Sequence, residues 1–482
     1  MSDHPFDLSA AAHQEMIDEG FHPDFFPGSD QQLQAIAARP APSASLLDLR
    51  SLLWSSIDND TSRDLDQAEV AERVNGGIRI RIAVADVAGA VDMGTPIDQH
   101  AADQTTSVYT GVRTFPMLPE RLSTDLTSLN ESQDRPAIVI DMVVGSDGAI
   151  TSPSIYAALV RNQAQLTYNG VGPWLEGTAP PPPKVAASAP LQQQLKLQDE
   201  AARALLDERQ KMGALNIDRV EAEAVVTDGQ VQGINTRQKN RATELIENFM
   251  VAANGVMART LSQAGVSSIR RVVKTPERWP RIVELAARSG DQLPETPDSG
   301  ALNQFLQKRK AQDPDHYADV SLAVVKLMGP GEYVLSRPND PPQGHFALAA
   351  HDYTHSTAPN RRFADTVTQR LIQAVLAKAP CPYSDSQLGS IAQNCTAKED
   401  AARKVERIMN KRVAAVALRN RIGEVFQGVI TGVTPKGTFV RVLNPPAEGL
   451  LIHGQQGVDV GDRLQVKLIS TDPRRGYLDF AR

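Results

Sequence analysis

The sequence predicts an α+β multidomain protein: a small helical N-terminal module, a large mixed domain and a closed C-terminal β-barrel of the OB-fold type. Three observations lead there. The chain of 482 residues is longer than one hydrophobic core usually serves. Strand-like alternation and long helical patterns are interleaved from about residue 46 to about residue 400, the texture of an α+β domain. Residues 423–482 hold only short alternating runs punctuated by glycine, a pattern that closes into a small barrel.

The elements follow in order. Residues 1–45 read as short helices broken at Gly20 and at the turn Phe26-Pro27-Gly28, ending in the linker Arg39-Pro40-Ala41-Pro42; a helix-turn-helix is one form this module can take. Residues 46–422 make the mixed domain. Within it, Arg79 to Val87 alternates polar and apolar residues and then turns apolar, as a strand entering a core does. Pro136 to Val144 is a second strand, closed by the turn Ser146-Asp147-Gly148, and Glu176 to Pro190, rich in proline, reads as an exposed loop. Helical patterns cover Leu191 to Met212, Arg241 to Ala264 and Thr366 to Lys378. In the barrel, Gly428 to Val442 and Gly461 to Ile469 supply strands on either side of Gly449 to Gly454. Phe426, Phe439 and His453 are candidate stacking platforms for single-stranded bases there, or else residues of the barrel core.

Composition narrows the function classes. Hydrophobic residues at 41% and charged residues at 22% are ordinary for a globular chain, and no apolar run approaches the roughly 18 residues of a membrane span. Met1 to Leu8 carries acids and proline where a signal peptide would be basic and then apolar. Cys381 and Cys395 are too few for a disulfide framework, so the cytoplasm is the expected compartment. Lys+Arg of 50 against Asp+Glu of 57 gives a net charge of −7, which does not announce a nucleic-acid binder, although an electropositive channel fits inside an acidic protein. Arg270-Arg271 with Lys274, Lys308-Arg309-Lys310, Arg361-Arg362 and the series from Arg403 to Arg421 either line such a channel or are solvated helix surface.

The strongest chemical signal runs from Ser56 to Gln67, where Asp58, Asp60, Asp64 and Asp66 crowd beside an apolar segment. Their repulsion calls for a counter-ion. Hard divalent cations take oxygen ligands at this density, and Mg²⁺ needs only a few carboxylates plus water and a substrate phosphate. Phosphodiester hydrolysis uses such a site. Read as an EF-hand, the segment offers Asp58, Asp60, Ser62, Asp64, Asp66 and Glu69, but Arg63 stands where the loop needs glycine and a strand pattern follows. His351-Asp352-Tyr353-Thr354-His355 imitates a zinc-protease motif, yet its ligands share a face only on a helix, which Thr354, Ser356, Thr357 and Pro359 oppose.

Taken together, the motifs resemble the ribonuclease II (RNB) family from about Asp48 to Arg482. Asp48-Leu49-Arg50 precedes the aspartate motif from Ile57-Asp58 to Asp64-Leu65-Asp66. Tyr109 is followed by Phe115 to Ser123, similar to the family's proline-leucine-proline segment, and Ile246 to Asn254 matches a characteristic helix. Gly344 to Leu348 leads to Thr357-Ala358-Pro359-Asn360-Arg361-Arg362-Phe363-Ala364-Asp365, similar to a serine-proline-isoleucine-arginine signature. Lys436-Gly437-Thr438-Phe439 and Gly449 to His453 resemble an S1-type RNA-binding domain.

The resemblance implies a 3′–5′ exoribonuclease that hydrolyses single-stranded RNA processively to 5′-monophosphates, as a cytoplasmic monomer with Mg²⁺ or Mn²⁺ and no dinucleotide cofactor. It implies Asp58, Asp64 and Asp66, with Gln67, as metal ligands, and the three aspartates with Arg361 as the catalytic set. It also implies Tyr109 stacking on the terminal base, with Tyr168, Glu406 and Phe439 as further RNA contacts. The sequence departs from the family at Gln67, where a fourth aspartate is usual, at Asn248 for a glutamate and at Asn360 for an apolar residue. The acidic motif also begins too early to leave room for paired N-terminal cold-shock barrels. A catalytically lapsed RNA-binding protein of the same fold is the alternative.

Overall fold

The computed structural model describes residues 6–39, 46–217, 221–227, 230–237, 239–314, 317–341 and 343–482. Its first elements are α1 (Leu8–Asp18), α2 (Ser29–Ala37), β1 (Leu47–Asp48), β2 (Trp54–Asp58), β3 (Gln67–Val74), β4 (Gly77–Ala85), α3 (Val87–Ala90) and α4 (Pro96–Gln104). Next come β5 (Val108–Tyr109), β6 (Thr114–Phe115), β7 (Asp134–Val144), β8 (Ile150–Thr167), α5 (Tyr168–Leu175), α6 (Pro183–Ala186) and α7 (Ala189–Lys211). A middle stretch holds β9 (Glu221–Thr227), β10 (Gln230–Arg237), α8 (Arg241–Gln263), β11 (Ser268–Val272), α9 (Trp279–Arg288), α10 (Ser299–Gln312), α11 (Tyr317–Met328) and β12 (Glu332–Ser336). The chain ends with α12 (Phe363–Leu376), α13 (Asp385–Ala417), β13 (Val425–Thr434), β14 (Gly437–Leu443), β15 (Pro446–His453), β16 (Arg463–Asp472) and β17 (Tyr477–Ala481). This is the α+β architecture expected, with a closed C-terminal barrel in the order β13-β14-β15-β17-β16.

The central sheet runs β1-β8-β2-β3-β4-β7. Asn75-Gly76 makes the tight turn between β3 and β4, where Gly76 has φ 91°, a conformation that costs a residue with a Cβ. The long strand β8 pairs antiparallel with β7 over Ile150 to Arg161 and parallel with β2 over Asn162 to Thr167. The sheet therefore curls back on itself. Alternation sorts its side chains onto two faces. Ile57, Ile80, Ile82, Ile138 and Ile140 pack under α7, α8 and α12, while Trp54, Ala68, Val70, Val139 and Val160 form a second core on the opposite face.

Several boundaries differ from the sequence reading, each for a local reason. The strand through Arg79 stops at Ala85 because Asp86 accepts from Gly89 N (2.8 Å) and caps α3. The proline-rich segment is not wholly an exposed loop. Pro183 opens α6, and Val185 is fully buried in the main core. The helix expected from Thr366 begins at Phe363, which is buried in that same core. Gly428 to Val442 is two strands, β13 and β14, paired from Thr434↔Gly437.

The longest element, α13, ties the parts together. Leu8, Ala12, Met16 and Phe21 pack with Phe115 and with Val405 and Met409 of α13. Glu15 and Arg412 form an ion pair across that contact at 3.0 Å, and Lys404 reaches Glu19 at 2.5 Å. At its far end, Ala414, Ala415 and Leu418 enter the barrel core beside Phe426, Val440 and Phe480. No helix among the described residues is long and apolar enough to cross a membrane.

Candidate active site

Strand β2 ends at Asp58, and the chain loops through residues 59–66 before re-entering the sheet as β3. The loop is pinned from below. Leu65 is fully buried, its N–H donates to Ser128 Oγ (2.9 Å), and its carbonyl accepts from Leu129 N (2.9 Å). Burying Leu65 turns its neighbours Asp64 and Asp66 to the other side, toward one cleft. The element that follows is a strand and not a helix, which removes the EF-hand reading.

A second loop brings the arginine. Asp365, in the first turn of α12, accepts from Ala358 N (2.8 Å) and holds the partly buried Arg362 by two bonds of 2.9 and 2.7 Å. Ser107 N donates to the Arg361 carbonyl (3.0 Å) and Phe363 N to that of Thr105 (2.8 Å). So fixed, Asn360 N donates to Asp66 Oδ1 (3.0 Å), and Arg361 Nε lies 3.6 Å from Asp66 Oδ2. The Arg361 side chain is still 46% exposed, which leaves its guanidinium free to meet a ligand. Asn360, an anomaly in the sequence, has its amide oxygen engaged by Thr127 Oγ1 (2.6 Å). Asn248 likewise is an internal fastening: its Oδ1 accepts from Arg209, and its Nδ2 donates to the Glu244 carbonyl at 2.7 Å.

The carboxylates are short of counter-charge. Burial pushes both Asp58 and Asp66 up to about 7, with Asp64 adding to each and Arg361 opposing. Asp64 is also raised by burial. Asp58 Oδ2 is buried without a hydrogen-bond partner, and its Oδ1 receives only a long contact from Gln67 Nε2 (3.5 Å). A hard cation would satisfy these oxygens, so the donor set fits a divalent ion. Among the described residues no three His, Cys, Asp or Glu side chains converge closely enough to enclose an ion unaided. That suits an ion that keeps water and substrate oxygens in its shell.

Tyr109 stands beside this cleft at the end of β5. Its N–H donates to Glu406 Oε1 of α13 (3.1 Å), and the residue is 42% exposed. Desolvation pushes its hydroxyl up to about 12, with Asp64, Asp66 and Glu406 adding to the shift. Tyr109, Arg361 and Glu406 line a cavity of about 250 Å³ together with Tyr333, His355 and Arg403. Tyr168 begins α5 one residue after Thr167, which pairs with Asp58. Phe439 lies in the barrel opposite Leu450 and belongs to that domain rather than to this cleft. Phe426 is barrel core, while His453 is exposed.

The His351–His355 segment is not helical, and Tyr333 OH bonds His355 Nδ1 at 2.8 Å. It walls the cavity. Sequence reasoning passed over Thr127, Ser107 and Tyr333 because a lone hydroxyl carries no spacing signal. Asp365 stands within the Thr357 to Asp365 segment, in the first turn of α12, and nothing in the sequence marks its hold on Ala358 and Arg362.

Residues 47–378 match the RNB domain, and residues 424–482 match the RNase II-type exonuclease C-terminal S1 domain. The chain belongs to the RNB family. Ribonuclease R of Escherichia coli K12 is 30% identical over 476 residues, covering 91% of this chain and 57% of that protein. Ribonuclease R of Thermotoga maritima is 29% identical over 472 residues, covering 90% and 64%. This RNB chain thus spans somewhat over half the length of the curated relatives it matches. The structure of Mycoplasma genitalium RNase R in complex with ribose methylated single-stranded RNA superposes with a TM-score of 0.87 at 25% identity, covering 98% of this chain and 78% of that one. Yeast Ssd1, a pseudonuclease, shares the fold alone, with a TM-score of 0.71 at 17% identity, covering 97% and 57%.

Proposed function

We propose that this protein is a 3′–5′ exoribonuclease that hydrolyses single-stranded RNA to 5′-monophosphates, with Mg²⁺ or Mn²⁺ bound by Asp58, Asp64 and Asp66. The observation that carries the reading is the convergence of the two loops: three desolvated aspartates and a half-exposed arginine on one cleft, at residues that match the family's motifs. The relatives named Ribonuclease R, one of them solved with single-stranded RNA, support the substrate.

When bound, the divalent ion activates water and neutralises charge developing on the phosphate. The chain's own residues do the rest. Asp66, locked by Asn360 N, presents its second oxygen to the cleft. Arg361 donates to the phosphoryl oxygens, a task suited to a planar and permanently charged fork. Tyr109 stacks on the terminal base, and Glu406 holds the hairpin that carries it. Water attacks phosphorus, and the 3′ oxygen of the penultimate nucleotide leaves. The barrel, through Phe439 and the exposed His453, and Tyr168 beside Asp58 contact further nucleotides. Two free cysteines fit a reducing cytoplasm, and a site built from one chain fits a monomer.

One observation favours a second reading. Gln67 turns its amide nitrogen to Asp58, which suits a lapsed, RNA-binding relative. Incubating the protein with 5′-labelled single-stranded RNA and Mg²⁺ or Mn²⁺ separates the two. A ladder shortening from the 3′ end is expected, and RNA bound but intact with either metal would favour the lapsed form.

A further inference from the structure

Among the described residues six acids are buried, and five of them face an arginine. Glu15 meets Arg412, Asp66 meets Arg361, Asp98 meets Arg370, Asp141 meets Arg79, and Asp365 meets Arg362. The sixth is Glu69. It is fully buried, and neither carboxyl oxygen has a hydrogen-bond partner among the described residues. The charged group that acts on it is Asp58, another acid. A buried acid with no cation and no donor is costly unless its partner arrives from outside the protein.

The sheet shows where that partner would sit. Gln67 and Glu69 alternate onto one face of β3. Glu69 pairs across to Ser55 of β2, three residues before Asp58. Gln198 of α7 closes the other side, its amide donating to the Glu69 carbonyl (3.4 Å). Ser55 Oγ, Asp58 Oδ2 and Gln198 Oε1 are also buried without partners. Unsatisfied oxygens therefore run from beneath β3 to the tip of β2, where the proposed ion binds.

We propose that Glu69 supplies the carboxylate that Gln67 withholds, a positioning residue that balances the cation's charge and holds Asp58 toward it. This rests on the metal-site reading above. The acid has moved two residues along the same face of the same strand, from directly beside Asp58 to behind it. The competing role is a neutral, water-bridged carboxyl linked to Ser55 and Gln198 and indifferent to metal.

Direct Mn²⁺ binding to the full chain without RNA, measured by calorimetry and by the rise in Tm on adding Mn²⁺, decides the matter. Glu69→Gln, which keeps the shape, is expected to weaken Mn²⁺ roughly tenfold or more, the scale of lost support behind metal ligands. Adding Gln67→Asp to that variant restores affinity. Glu69→Leu raises the metal-free Tm, because an unpaired buried acid is gone, and shrinks the rise with Mn²⁺. Wild-type Mn²⁺ affinity in a folded Glu69→Gln protein overturns the proposal, as does a loss that Asp at position 67 leaves uncorrected. Asp66→Asn separates the layers. If it loses Mn²⁺ while Glu69→Gln keeps it, only the role of Glu69 fails; if wild type and Asp66→Asn bind alike, the metal site itself fails.

Discussion

Arg361 is held by its backbone and free at its tip. Its carbonyl is clamped by Ser107, while its side chain is 46% exposed beside a buried Asp66. That division suits a group that meets charge developing during reaction. Lysine at the same position keeps the charge but loses the fork. Arg361→Lys is therefore expected to lower kcat about 10²-fold while changing the RNA Kd little. Single-turnover rates and equilibrium binding on the same RNA check this, and equal losses in both would count against the role. The aspartates were legible in the sequence because like charges at that density need an explanation. Glu69 was visible only as the twelfth position of a calcium loop that the fold does not make. Its burial comes from β3 pairing between β2 and β4, which no local pattern reveals.

At the scale of elements, the N-terminal helices are part of the site's scaffold. Leu8, Met16 and Phe21 pack with Phe115 of β6, the partner strand of Tyr109. Nearby, His100 of α4 is 1% exposed and meets Phe25 and Phe26 with ring centroids at 4.4 and 5.1 Å. Burial holds it down to about 4, with His22 adding to the fall and Asp103 opposing. Because the folded value lies below the unfolded one, this stability is present above pH 6.5 and is lost as pH falls through about 4. The loss is on the order of 3 kcal/mol. Tm measured across that window should fall less steeply in His100→Phe than in wild type; identical slopes would remove His100 as the cause. Short helices broken at Gly20 and Gly28 were readable from the sequence. The docking of α1 was not, since α13, which receives it, is mostly polar and charged and carried only a basic series.

Across the whole molecule, α13 is the shaft between the RNB domain and the barrel. Leu418 is fully buried where that shaft enters the barrel core. Leu418→Ala is expected to cost about 2–5 kcal/mol of stability, seen as a lower Tm. It should also weaken binding of long RNA more than turnover of a short oligonucleotide. Equal effects on both lengths would show that the barrel does not extend the RNA path. The α+β class and the terminal barrel were legible because period and punctuation change along the chain. The curl of the central sheet was not, because it depends on β8 serving β7 and β2 at once, a pairing set by distant partners. The central claim is that Asp66 and its neighbours hold a divalent ion for phosphodiester hydrolysis. The direct test is the rate of 5′-mononucleotide release from single-stranded RNA as Mg²⁺ is titrated, for wild type and Asp66→Asn. A saturable dependence on Mg²⁺ that vanishes in Asp66→Asn, with RNA binding kept, is the expected result. Release that persists in a chelator, or that Asp66→Asn leaves unchanged, would contradict it.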